Sequence, residues 1–298
     1  MCWPSSPTCA ERSTPERGIR PLRNDAGERD ALLALLTAAY GRPGWDAEVD
    51  RIRALAPDGW RVLDAEDGDG LAACGCAVPW GAFGWVGLVA VRPDLGHRGL
   101  GRAVTEVLCD WLAAAGATTV ALDASDKGRG LYLGMGFADA GAVRCIVPPA
   151  GGLPASTRPA RPLGDGDLPD VIALDTAAFG ASREALLRRL LAEGAPAFVG
   201  RDADGALDGY AFVVPSDGTI GPAAARDEGA LVALLRAALA TAPVDGGRVL
   251  VPPESAHAAT LERLGFVETR RLAHLRRPGG PLPGERHLLV SGASYAIG

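Results

Sequence analysis

The stretch Trp85–Val104, WVGLVAVRPDLGHRGLGRAV, joins an apolar run to a glycine-rich basic loop and then to an amphipathic segment. Its run Val86–Val91 is almost wholly apolar and β-branched, which predicts a strand covered on both faces. Apolar residues at helical spacing continue to Ala115, so the glycines lie at the N-terminus of a predicted helix. Unpaired N–H groups attract anions there, and Arg98 and Arg102 add positive charge. The stretch therefore predicts a phosphate-binding turn.

Two ligand classes use such a turn. A dinucleotide site of the Rossmann kind needs GxGxxG directly after the first strand and an acidic residue about 20 residues further on. Asp123 stands near the position of that acidic residue. Val104 replaces the third glycine, however, and several residues separate the strand from the glycines. A long segment also precedes the motif. These departures argue against a dinucleotide, and the other ligand class is coenzyme A.

The order of elements and two motifs carry a resemblance to a known family. A strand, the loop GHRGLGRA at 96–103, a helix, a strand, a helix and then YLGMGF, which begins at Tyr132, resemble the Gcn5-related N-acetyltransferase (GNAT) superfamily over residues 19–147. The most specific part is the pair of motifs at the correct separation, with Tyr132 four residues before Gly136. The superfamily usually has Gln or Arg where this chain has Gly96. Because backbone amides make most contacts in that loop, we expect the site to be retained.

The resemblance implies acetyl-CoA as co-substrate and no metal. In the superfamily, free backbone groups of the strand before the loop hold the pantetheine and polarise the thioester carbonyl. Ser125 follows the strand that ends at Asp123 and is placed to bind the cofactor, to relay a proton or to cap the next helix. The implied cofactor-binding residues are Val89, Ala90, Val91, His97, Arg98, Gly99, Leu100, Gly101, Arg102, Ala103 and Ser125.

Acetyl transfer to an amine needs a neutral amine and a proton for the departing thiolate. An alkylamine has a pKa of about 10, so a base or a water chain must remove a proton near neutral pH. By resemblance Tyr132 is the general acid, and its alternative role is to pack a helix against the sheet. No Glu or Asp lies in 83–91, where many relatives place a base. This leaves water, Asp123, or an outside side chain; a tail that docks as a strand and turns Gly298 inward is a further source.

Composition narrows the class of protein. The net charge of −6 and the pI near 5.3 argue against nucleic acid as a partner. No run of about 18 apolar residues is present, which argues against a membrane-spanning chain. The six cysteines form no CxxC pair, so we expect no zinc site and a reducing, cytoplasmic location. The predicted acceptor is a small-molecule amine, with a protein amine as the second option.

We expect an α+β fold (a mixed α/β sheet) in two tandem acyl-CoA N-acyltransferase-like domains, each a twisted, largely antiparallel sheet flanked by helices. Residues 1–17 predict a disordered leader, 18–147 the acetyltransferase domain, 148–162 a proline-rich linker, and 163–298 a degenerate second copy with a C-terminal tail. Periodicity predicts helices over Glu28–Tyr40, Asp46–Leu55, Leu168–Phe179, Arg183–Glu193, Glu228–Ala240 and Ala256–Leu264, and strands near Trp60–Ala65, Leu71–Pro79, Ala197–Arg201, Gly209–Val214 and Arg248–Val251.

The second copy lacks both motifs. Its segment in the place of the phosphate loop reads GPAAARDEGALV from Gly221, with Asp227 and Glu228 where an anion needs positive charge. Leu261 stands four residues before Gly265, in the place of the tyrosine. We expect no coenzyme A there, which leaves dimerisation, closing of the substrate cleft or stability as its role. The alternative function for the whole chain is a non-catalytic acyl-CoA-binding or sensor module.

Overall fold

The structure is a computed structural model that describes residues 18–243 and 247–298, so the predicted leader at 1–17 lies outside the described residues. The first half contains β1 (Arg20–Pro21), α1 (Ala26–Tyr40), α2 (Asp46–Leu55), β2 (Trp60–Asp64), β3 (Leu71–Trp80), β4 (Phe83–Val91), α3 (Leu100–Ala114), β5 (Thr119–Ala124), α4 (Asp126–Leu133) and β6 (Ala138–Val147). The second half contains β7 (Ala160–Pro162), α5 (Leu168–Phe179), α6 (Glu184–Ala192), β8 (Ala197–Arg201), β9 (Leu207–Val213), β10 (Ile220–Ala225), α7 (Glu228–Leu239), β11 (Val249–Val251), α8 (Ala258–Arg263), β12 (Val267–Arg277) and β13 (Leu289–Ser291).

Two sheets flanked by helices form the fold: the larger one is mixed, with β4 and β5 as its parallel pair, and every pair in the smaller one is antiparallel. One has eight strands in the order β1-β2-β3-β4-β5-β12-β6-β11, and the other has five in the order β13-β10-β9-β8-β7. This confirms the expected fold class. In the described part of the chain, no helix is both long and apolar enough to cross a membrane.

The two halves exchange strands. Strand β12 lies between β5 and β6 and pairs antiparallel with both, while β11 pairs with β6. The last long strand of the first half, β6, therefore lies between β12 and β11 of the second half, and β12 in turn lies beside β5 of the first half. Residues 267–277, which the sequence assigns to a second domain, belong to the same sheet as the first half, and residues 160–162 of the predicted linker form β7, which pairs with β8.

Helix α3 packs closely on β3 and β4 because two strand positions carry no side chain. A Cβ atom at Gly84 would lie 2.4 Å from Leu112 Cδ2, and one at Gly75 would lie 2.8 Å from Leu108 Cδ1. The buried residues of α3, such as Val104 and Leu108, fill this space. The close packing fixes the N-terminus of α3 beside the end of β4, where the glycine-rich loop joins them.

Most predicted elements lie within a few residues of the observed ones, and Asp46–Leu55, Leu168–Phe179 and Ala197–Arg201 have the predicted bounds. The prediction of a loop beginning at Gly221 is wrong, because Ile220–Ala225 is a fully buried strand. Alanine and glycine have low strand propensity, and burial between β9 and β13 overrides it here.

Candidate active site

A gap between two parallel strands lies at the centre of the site. Strands β4 and β5 pair only at their beginnings, at Phe83↔Thr119, Gly84↔Val120 and Trp85↔Ala121. Further along, β4 keeps its pairing with β3 up to Val91, and β5 keeps its pairing with β12 up to Ala124. The facing edges of 86–91 and 122–124 thus diverge and have no ladder partner among the described residues. We call this opening the β4–β5 gap.

A β-bulge opens the gap. Cys74 pairs with Ala90 and Cys76 pairs with Gly87, so β4 has one more residue than β3 over this step. Leu88, within the bulge, has a φ of 48°, which is rare for a residue with a branched side chain. A bulge bends a strand and increases its twist, and this one turns β4 away from β5. Leu88 is not among the predicted site residues, because no feature of its side chain indicates the bulge.

The loop at 96–103 presents backbone groups to solvent at the N-terminus of α3. Gly99 is the residue before α3 and has a φ of 77°, and a Cβ atom there would meet nothing within 4 Å. At Gly101 a Cβ atom would come no closer than 3.5 Å to another atom, so internal packing does not require a glycine. A Cβ atom there would contact Val89 and Val91 of β4 and Leu131 of α4, so a larger side chain would enter the space between the helix and the gap.

The side chains of the loop differ in exposure and in hydrogen bonding. His97 and Arg98 are exposed, whereas the side chain of Leu100 is buried, so Leu100 offers only its backbone to a ligand. Arg102 Nη2 donates to the carbonyl oxygen of Gly134 at 3.1 Å and lies on the side of α4. Its charge is near the loop, but its hydrogen bond ties α3 to α4.

Tyr132 lies on α4 with its ring centroid 5.9 Å from that of Phe137. Burial raises the pKa of Tyr132 to about 12, and a hydrogen bond with the side chain of Thr105 opposes the shift only in part. The phenol is therefore protonated throughout the neutral range. The ring packs against the core, as the alternative role expects, and the protonated hydroxyl is compatible with the role of general acid, which stays a prediction.

A second tyrosine reaches the gap from α1. The hydroxyl of Tyr40 donates to the carbonyl oxygen of Val89 at 3.1 Å, and its ring centroid lies 5.0 Å from that of Trp45. Desolvation of the hydroxyl, followed by the nearby Cys74 and Tyr132, raises the pKa of Tyr40 above its ordinary value, although 41% of the residue is exposed. Tyr40 thus reaches the gap through Val89, and no pattern in the sequence indicated it as a site residue.

Asp123 is paired with a buried histidine. Its Oδ1 atom lies 2.9 Å from His274 Nδ1, and the two side chains are 2% and 0% exposed. Burial raises the pKa of Asp123, while the hydrogen bond from His274 opposes that rise. His274 Nε2 is buried without a hydrogen-bond partner among the described residues. The ring centroid of Trp85 lies 5.4 Å from that of the imidazole, so the pair is close to the base of the gap.

Ser125 is exposed at the end of β5 and directly precedes α4, but its hydroxyl makes no capping hydrogen bond. It lines a cavity of about 760 Å³ together with Arg129, Asp139 and Arg270. The hydroxyl is therefore available to a ligand in this cavity.

The tail turns inward, as expected, but not as a strand at its end. β13 stops at Ser291, and the residues beyond it form a turn. Trp85 Nε1 donates to the carbonyl oxygen of Tyr295 at 3.2 Å, and Arg183 Nη1 donates to that of Gly298 at 3.2 Å. The tail thereby covers the face of β4 opposite to α3.

Comparisons with known proteins agree with this geometry. A model described as "Acetyltransferase (GNAT) family" matches residues 29–137, and one described as "Acetyltransferase (GNAT) domain" matches residues 171–291. The chain is 29% identical over 239 residues to the uncharacterized N-acetyltransferase YitH of Bacillus subtilis, which covers 76% of this chain and 81% of that protein.

Solved structures show the same fold. A putative acetyltransferase from Pyrococcus horikoshii superposes with a TM-score of 0.80 at 20% identity, over 95% of this chain and 96% of that one. A tandem GNAT protein from the clavulanic acid biosynthesis pathway, without acetyl-CoA, gives a TM-score of 0.62 at 20% identity, over 87% of this chain and 97% of that one. The resemblance thus extends over both halves.

Proposed function

Because this chain belongs to the GNAT superfamily and carries two GNAT domains in tandem, we propose that its first half transfers an acetyl group from acetyl-CoA to a primary amine of a small molecule. The family supports N-acetyltransferase activity in general. The observation that supports placing it in the first half is the β4–β5 gap, which opens beside the glycine-rich N-terminus of α3. We also propose a cytoplasmic location, in keeping with the free thiols of Cys74, Cys76, Cys109 and Cys145.

The residues around the gap fit acetyl-CoA. In this proposal the backbone groups of Val89, Ala90 and Val91 hold the pantetheine, and the backbone of 97–103 holds the pyrophosphate. The open space over Gly99 supports this placement, as does Gly101, where a Cβ atom would lie 3.6 Å from Val91 and 3.9 Å from Val89 of the gap. Arg98 and Arg102 contribute charge, and Ser125 contributes a hydroxyl at the end of β5. The thioester supplies an acyl group that a neutral amine attacks directly.

The reaction needs two proton transfers. The amine nitrogen bonds to the carbonyl carbon, the carbon–sulfur bond breaks, the nitrogen loses a proton and the thiolate gains one. Tyr132 is the proposed donor to the thiolate, because its raised pKa keeps it protonated. Asp123 is proposed to act through His274, whose Nδ1 it orients while Nε2 remains without a partner. This pair, rather than Asp123 alone, is the proposed route for the amine's proton.

Thermal unfolding with and without acetyl-CoA tests the cofactor, with NAD and NADP as controls. A ligand that binds only the native state must raise the unfolding midpoint. We expect a rise with acetyl-CoA alone, followed by thiol release in an amine screen. Binding without turnover over a broad amine panel would favour the alternative, a non-catalytic acyl-CoA-binding module. No shift with acetyl-CoA would refute both functions.

A further inference from the structure

Two arginines near the gap lack a polar partner. Among residues 18–243 and 247–298, Arg42 and Arg270 are the two arginines whose guanidinium groups make neither an ion pair nor a hydrogen bond with another described residue. Arg42 Cζ lies 3.7 Å from the ring centroid of Trp45, and Arg270 Cζ lies 5.3 Å from that of Tyr295. A guanidinium that stacks on a ring keeps its N–H groups available at the edge for an anion.

Both aromatic rings connect these arginines to the β4–β5 gap. Trp45 packs on Tyr40, whose hydroxyl is bonded to the carbonyl oxygen of Val89 in the gap. The carbonyl oxygen of Tyr295 accepts a hydrogen bond from Trp85, the last residue of β4 that pairs with β5. The arginines thus approach the same opening from the first and the second half of the chain.

The carboxylates that act on Arg42 have other partners. Burial, and then the positive charges of Arg248 and Arg270, lower the pKa of Arg42. The nearby carboxylates are already neutralised: Asp217 pairs with Arg248, and Glu48 lies 2.8 Å from Arg51 and 2.5 Å from the hydroxyl of Ser294. No described carboxylate lies within ion-pair distance of Arg42 or Arg270, so both guanidinium groups are available to an anion near the β4–β5 gap.

We propose that the acceptor is an amine that also carries a carboxylate, which Arg42 and Arg270 hold while the amine faces the β4–β5 gap. The proposal rests on the N-acetyltransferase function proposed above and names its substrate class. Planar guanidinium groups match a carboxylate in geometry and bind it through paired, charge-assisted hydrogen bonds. One arginine comes from the α1–α2 turn and the other from β12, so the second half contributes a specificity residue to the first.

The test compares each aminocarboxylate with its own amide. The substrates are α-amino acids and ω-amino acids from glycine to 6-aminohexanoate, each paired with the uncharged amide, with the full chain, acetyl-CoA and thiol release as readout. We expect kcat/KM for at least one carboxylate to exceed that for its amide by about 10-fold or more, the factor typical of a charge-assisted hydrogen bond.

Matched variants assign the preference to the two side chains. R42Q and R270Q should each lower kcat/KM for the carboxylate about 10-fold, mainly through KM, and leave the amide unchanged. R271Q is the control, because Arg271 is adjacent on β12 and lines the same cavity, but its guanidinium is already paired with Glu268 at 2.8 Å.

Each outcome has one meaning. Equal turnover of carboxylates and amides, or an R271Q effect as large as that of R270Q, overturns this inference and leaves the acetyltransferase function standing. Turnover of uncharged amines alone also overturns this inference and leaves the acetyltransferase function standing. Failure to release thiol with every amine, charged or not, overturns the acetyltransferase function and this inference together.

Discussion

The two halves of the molecule share an order of elements but differ at the strand pair that forms the gap in the first half. In the first half, β4 and β5 diverge and leave a gap. In the second half, the corresponding β10 and β11 also stand apart, but β13 lies between them. It pairs with β10 at Ala223↔Ser291 and Ala224↔Leu289, and Leu250 of β11 bonds to Ser291 Oγ and to the N–H of Gly292, both at 2.9 Å. The second half fills with its own chain the place that the first half leaves open.

The helix that follows the gap differs in the same way. Helix α3 follows Gly99, and no side chain of the described residues caps its N-terminus. The N-terminus of α7 is capped by Asp227, whose Oδ1 accepts from the N–H of Ala230 at 2.9 Å, and Arg158 lies 2.8 Å from the same carboxylate. A carboxylate already satisfies the amides that an anion would use. One fold therefore supports a proposed ligand site in one half and a closed, internally paired copy in the other.

The largest expected effect comes from placing a negative charge at the open helix end. Gly101→Glu should weaken acetyl-CoA binding by about 100-fold or more, because a carboxylate would then face the pyrophosphate. Titration calorimetry measures the change. The control is Gly229→Glu at the equivalent turn of α7, beside Arg158, which should leave affinity unchanged. Unimpaired binding by the Gly101→Glu protein would refute the placement of the site.

Tyr132→Phe separates catalysis from binding. Removing the hydroxyl should lower kcat by about 100-fold, since general acid catalysis contributes that much or more, and leave the dissociation constant of acetyl-CoA nearly unchanged. Because the pKa of Tyr132 is about 12, the wild-type rate should show no loss from its ionisation between pH 7 and 10. A Tyr132→Phe enzyme with full kcat would contradict the role of general acid.

His274→Gln tests whether a strand of the second half serves the first. We expect kcat/KM to fall by about 10- to 100-fold, since the proton route through Nε2 is removed. Acetyl-CoA affinity should not change. His257→Gln is the matched control, because this buried histidine bonds to the carbonyl oxygen of Ala225, away from the gap. Equal losses in both variants would indicate a structural role.

The smallest expected effect concerns a feature that the halves share. Hydrogen bonds from Arg20 and Arg23 outweigh burial and lower the pKa of Glu28 to about 2, and Arg161 and Arg201 lower that of Asp167. Since both folded-state pKa values are depressed, this stability is present above the unfolded pKa and is lost as pH falls through the folded pKa. Glu28→Gln and Asp167→Asn should each lower Tm by about 2–4 °C at pH 7. The difference from wild type should shrink as pH falls from 5 towards 2, and it should shrink sooner for Glu28→Gln than for Asp167→Asn.

The sequence could predict what is local. The apolar run Val86–Val91, the glycines at 99 and 101 and the helical spacing after them are local patterns, and they indicated the strand, the loop and the helix. Tyr132 came from the resemblance that the motif YLGMGF carries. His274 and Arg270 could not be predicted as site residues, because their position depends on the exchange of β12 into the first sheet. The Leu88 bulge depends on the register between β3 and β4, which no local pattern of residue types specifies.

Strand exchange also has a consequence for how the chain is made. A ribosome releases residues in order, so β5 and β6 emerge long before residues 267–277 that lie between them. Until then both strands present bare edges, the surfaces through which nascent chains aggregate. A fragment that ends at Val147 should for the same reason precipitate rather than act as a small enzyme. The sheet of the first half is thus completed only when nearly all of the protein has been synthesised.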